Sequence, residues 1–104
     1  MQTHPALIER SVGATLRTLS RGQMTREEAT LDLIELIASQ IVGKTDYAMA
    51  VIGYYVRAVL NGYADNHIAL ADAFDAFTDA AAEAGHGHVA VSLRLSQPLL
   101  GLRH

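Results

Sequence analysis

From Tyr47 to Leu60 the chain runs fourteen residues with a single charge, Arg57. A helix over this segment is apolar on nearly every side and must be covered on nearly every side. It therefore belongs at the centre of a helical bundle or in an interface between copies. It is too short to cross a bilayer. Its apolar run, Tyr47 to Val56 with Gly53 counted in, is ten residues, against the ~20 that a span requires. Thr45 or Asp46 offers a cap, and Asn61-Gly62, two residues that tolerate positive φ, marks the expected end near Leu60.

Three further segments carry a helical period. The first opens at Pro5, whose fixed φ suits a first helical turn, and runs to Ser20, with Gly22 positioned for a left-handed exit. Its apolar stripe is Ile8, Val12, Leu16 and Leu19. The second begins at Thr25, where Thr25-Arg26-Glu27-Glu28 fits a capping box: a hydroxyl for one free amide and a carboxylate reaching back to another. Leu31, Ile34, Ile37, Ala38 and Ile41 mark its expected buried face, and Gly43 its stop. The last runs from about Asp65 to Ala84, with Ile68, Ala71, Phe74, Phe77 and Ala81 inward, and ends at Gly85.

After Gly85 the period changes from 3.6 to 2. Val89, Val91, Leu93 and Leu95 alternate with Ala90, Ser92, Arg94 and Ser96, the pattern of a half-buried strand. Nothing upstream alternates to pair with it, so its expected partner is the same strand of a second copy across a two-fold axis. The alternative is a short fifth helix or a tail laid over the bundle. The expectation is a single mainly α domain over residues 1–104: a compact four-helix bundle, helix three innermost, with a C-terminal extended segment.

Composition removes whole classes of function. The 104 residues contain no cysteine, which excludes disulfide scaffolds, thiolate metal sites and cysteine nucleophiles. Half of them are apolar and 18% charged, the balance of a chain that folds. A net charge of −3 speaks against a protein that coats nucleic acid. Direct readout by a helix-turn-helix is disfavoured too, because the would-be recognition helix from Asp46 to Leu60 has no row of polar side chains for base edges. No basic segment followed by an apolar run opens the chain, so a cytoplasmic, non-membrane protein is expected.

The candidates for chemistry are few. Glu83-Ala84-Gly85-His86 has the E-x-x-H spacing of di-iron bundles, and His86-Gly87-His88 places two imidazoles close together. There is no second E-x-x-H, however, and Gly85 is expected to end the helix before His86. No metal or cofactor is expected, and Glu83, His86 and His88 remain weak candidates. His67 could act as a base or a pH switch but has no identifiable catalytic partner. Tyr47, Tyr54, Tyr55 and Tyr63 combine apolar area with a hydroxyl, which suits bundle edges and interfaces as well as pockets.

Charge is laid out in two rows of opposite sign. Arg10, Arg17 and Arg21 fall on one stripe of the first helix, and Asp72, Asp75, Asp79 and Glu83 on one stripe of the fourth. The rows are either two solvated faces or surfaces that meet, within the chain or between copies. The expected function is non-catalytic: a homodimeric protein acting through protein binding, as an adaptor, regulator or inhibitor of a larger assembly. Its expected interface residues are Tyr54, Tyr55, Val89, Val91, Leu93 and Leu95, with the acidic stripe receiving a partner. The alternatives are a small-ligand or metal-binding bundle around His86 and His88, and an enzyme whose site lies between subunits, built on Tyr54 or Tyr55 and a histidine.

Overall fold

A computed structural model describes residues 5–41 and 46–85. It contains four helices, α1 (Pro5–Ser20), α2 (Arg26–Ala38), α3 (Asp46–Ala64) and α4 (Leu70–Gly85). The mainly α bundle is the expected one. The segment expected to be extended, with Val89, Val91, Leu93 and Leu95, lies outside the described residues, as do His86 and His88.

Local chemistry sets the helix ends. At the close of α1, Gly22 sits at φ 71°, its N–H donates to the Leu19 carbonyl at 3.0 Å, and the Gln23 N–H donates to the Thr18 carbonyl at 3.1 Å. These paired bonds satisfy carbonyls that a helix end leaves open, and they need a residue free of the Cβ penalty at the left-handed position. The capping box of α2 is complete: the Glu28 N–H donates to Thr25 Oγ1 at 3.1 Å and the Thr25 N–H to Glu28 Oε1 at 2.9 Å. α2 then stops at Ala38, with Ser39 as its cap. The expected extension through Ile41 to a stop at Gly43 is not taken.

α3 does not end at Asn61-Gly62. It continues to Ala64, and the left-handed residue is Asn66, at φ 64°. The same pair of bonds closes this end, from the Asn66 N–H to the Tyr63 carbonyl at 3.1 Å and from the His67 N–H to the Gly62 carbonyl at 2.7 Å. Gly62 is used for close approach rather than for positive φ. A Cβ there would stand 2.6 Å from Ile68 Cδ1, so the missing side chain is the space into which Ile68 folds. Ile68 thus belongs to the connection, and α4 begins at Leu70 rather than Asp65.

Two buried faces differ from their expected composition. On α2 the buried residues are Ala29, Thr30, Leu33, Ile37 and Ala38, while Ile34 is half-buried and Leu31 is 53% exposed. The segment has apolar residues at so many positions that more than one 3.6-residue stripe can be drawn through it, and the stripe through Leu33 is the one buried. On α4 the buried face is Ala73, Ala76, Phe77, Ala80, Ala81 and Ala84; Ala71 points outward and Phe74 is half-buried.

The packing also corrects the expected place of the third helix. α2 and α4 each pack against all three other helices, whereas α1 and α3 lie on opposite sides and barely touch. Alanine is the reason α4 can sit inside: side chains of one carbon let neighbouring helices approach it from several directions. Neighbouring helices run antiparallel, as the pairing of Arg57 with Glu27 and of Arg26 with Asp65 shows for α2 and α3. One cluster of buried side chains, including Val12, Leu16, Leu33, Val56, Leu60 and Phe77, draws on all four helices.

Candidate functional site

Being outside the bundle's central pair, α3 keeps an uncovered stripe. Tyr47, Ala50, Tyr54 and Arg57 recur at intervals of three, four and three, which aligns them on one side of the helix, and all four are exposed. Tyr47 and Tyr54 are 63% and 53% exposed. Across the groove, α2 contributes Leu31. Arg57 Nη2 lies 3.9 Å from Glu27 Oε1, and a Cβ on Gly53 would meet Ile34 Cδ1 at 4.0 Å. Those two contacts fix the register and place Leu31 level with Gly53 and Tyr54. The rest of the outer surface of α2 is acidic: Glu27, Glu28, Asp32 and Glu35 are all exposed. This side of the bundle thus exposes two tyrosines and a leucine beside the acidic outer surface of α2.

The adjacent tyrosines part company. One residue on from Tyr54 turns the helix by about 100°, and Tyr55 is 2% exposed, in the core. Its hydroxyl donates to the Ala76 carbonyl at 3.3 Å. Burial, with the Asp79 charge as a smaller contribution, pushes its pKa up to about 12. In this conformation Tyr55 joins α3 to α4 and presents no surface to a partner.

At one end of the bundle, where the α1–α2 and α3–α4 connections meet, the Ser20 and Tyr63 hydroxyls are hydrogen-bonded. Arg26 Nη2 donates to Asp65 Oδ1 at 2.7 Å beside them. Ser20, Arg26, Tyr63 and Asn66 line a polar recess there. Sequence reading missed this group because its members lie about forty positions apart. His67 is exposed in the α3–α4 connection. Among the described residues no three His, Asp or Glu side chains converge as a metal shell, and no helix is long and apolar enough to cross a membrane.

The charged rows occupy the α1–α4 side. Arg10 and Arg17 are exposed along α1 and Arg21 just past its end, and Asp72, Asp75 and Asp79 along α4, with Glu83 half-buried. A groove of about 310 Å³ between the two helices is lined by Gly13, Arg17, Leu70, Ala71, Phe74 and Asp75. The Arg17 guanidinium and the Phe74 ring both lie over the bare backbone of Gly13, at 3.2 and 3.7 Å from where its Cβ would be.

No family model matches this chain, and neither a curated protein nor a solved structure does.

Proposed function

We propose that this chain is a small, non-catalytic, cytoplasmic protein that binds another protein on its α2–α3 face. In this reading it works as a homodimer and serves as an adaptor, regulator or inhibitor of a larger assembly. The observation that carries the reading is the uncovered stripe of α3. Tyr47 and Tyr54 stand outward with Ala50 between them and Leu31 across the groove. Tyrosine offers a large rigid contact area at small entropic cost, which is why it recurs at the centres of protein interfaces. The exposed carboxylates of α2, Glu27, Glu28, Asp32 and Glu35, favour a partner segment that sets basic residues beside apolar ones. A helix with one apolar and one basic side is the simplest such segment. The buried Tyr55 hydroxyl, already donating to a carbonyl, argues against the enzymatic alternative that would use it as a reacting group.

Photo-crosslinking in the host cell tests this reading. A photoreactive phenylalanine in place of Tyr54 is expected to give a discrete adduct that is absent with the same group at Ser11, an exposed position on the α1–α2 side. The adduct should be lost on exchanging Asp32 and Glu35 for lysine, and the crosslinked peptide should carry basic residues flanking apolar ones. No adduct at 54 above the level at 11, or one indifferent to the lysine exchanges, overturns the reading.

A further inference from the structure

The face opposite the tyrosines is built from α1 and α4, which run antiparallel, with Gly13 level with Phe74 and Arg17 level with Leu70 and Ala71. Seen from outside, it has a basic half, Arg10, Arg17 and Arg21, and an acidic half, Asp72, Asp75 and Asp79. None of these six side chains makes an ion pair among the described residues, in contrast to Arg26 with Asp65 and Arg57 with Glu27. Between the halves lie Gly13, Ala71 and Phe74, with Leu70 half exposed at one end. Two unpaired rows of opposite sign, side by side across an apolar groove, form a surface complementary to itself.

We propose that two copies of this chain pair through the α1–α4 face about a two-fold axis parallel to the helices, so that α1 of each lies along α4 of the other. The charge pattern selects that axis. Rotation about a line parallel to the helices keeps height and exchanges left with right, which sets each arginine row against the partner's aspartate row. A two-fold axis lying across the helices would set arginines on arginines. The chosen operation also brings groove onto groove and covers Leu70 and Phe74 in both copies at once, the mark of a closed, isologous pair.

The area sets the expected strength. Two helices of about 24 Å, together roughly 20 Å across, offer about 500 Å² a side, so the pair buries close to the ~1,000 Å² total at which specific interfaces begin. An interface that small and that charged is expected to loosen steeply with added salt. The inference rests on the homodimer in the preceding reading and gives it an interface. Crosslinking at Tyr54 and self-association can fail independently of one another.

Sedimentation of the full chain decides it. The wild type should be a dimer that dissociates as salt is raised. The exchange Arg10→Asp/Arg17→Asp/Arg21→Asp, and separately Asp72→Arg/Asp75→Arg/Asp79→Arg, should each weaken pairing by at least about tenfold, since several exposed contacts turn from attractive to repulsive. Mixing the two variants should restore a dimer, because each supplies rows opposite to the other's. If either triple variant fails to fold by circular dichroism, the single exchanges Arg17→Asp and Asp75→Arg, at exposed positions, carry the same comparison. The proposal is overturned by a wild type monomeric up to about 1 mM, the weakest affinity worth the name for such an area, by a dimer indifferent to both exchanges, or by monomeric variants that stay apart when mixed.

Discussion

Asp79 shows how an exposed residue reports on its surroundings. Its carboxyl is held above the usual aspartate range, first by partial loss of water and then by the charges of Asp75 and Glu83 one turn to either side. Beneath it lies the Tyr55 hydroxyl, a neutral group that gives the charge no relief. A carboxyl whose pKa is raised on folding binds its proton more tightly in the folded chain. It therefore contributes stability below the ordinary aspartate range, and that contribution is lost as pH rises through the folded value. Asp79→Asn removes the charge while keeping the shape. The variant should melt higher than the wild type at about pH 7, and the difference should vanish near pH 3, below the usual aspartate pKa. Thermal denaturation by circular dichroism, at protein concentrations low enough to keep copies apart, checks it. An equal effect at both pH values would show that the carboxylate is not under strain.

At the scale of the helix, burial divides residues that the sequence treats alike. Ile52 is buried among the core residues of α3, and Leu31 stands exposed on α2. Truncating Ile52 to alanine leaves a cavity and should cost about 2 to 5 kcal/mol, whereas Leu31→Ala should stay within about 0.5 kcal/mol. Chemical denaturation of the two variants measures both, and a large loss from Leu31→Ala would mean that its face is covered. The contrast also shows what was legible beforehand. The roles of Thr25, Glu28 and Gly22 are legible in the sequence because a capping box and a left-handed exit are settled within a few residues of chain. The role of Gly62 is not legible there, because glycine answers two needs, positive φ and close approach, and only the fold back of Ile68 selects between them. The sequence leaves the facing of Leu31 open because α2 admits more than one apolar stripe; the acids at 27, 28, 32 and 35 around it are the local sign of an outward face. Tyr54 and Tyr55 stand about 100° apart on the helix, and which of them faces inward depends on where α4 lies.

The whole molecule is tied together less by its most apolar helix than by α4, whose row of alanines lets α1, α2 and α3 all close upon it. That moves α3 outward and leaves its tyrosine stripe uncovered, so the feature that suggested a central helix is also what furnishes the candidate binding face. The α1–α4 face is its counterpart on the other side, polar where the first is aromatic. A chain with one such face for a second copy and one for another protein would present two partner sites, on opposite sides of its dimer. The same architecture governs how it unfolds. Ile8, Val12 and Leu16 bring α1 into a cluster that also holds Leu33 and Ile37 of α2, Val56 and Leu60 of α3, and Phe77 of α4. No helix buries its apolar side without the others, so loss of one should expose the rest, and a single cooperative transition is expected. Circular dichroism follows the helices, and the near-ultraviolet signal of tyrosine follows packing around Tyr55, the one tyrosine in the buried core cluster. The two curves should coincide in urea. Loss of the tyrosine signal at lower urea than the helical signal would mean that α3 and α4 separate while helices persist, and that the bundle is held by more than one independent core.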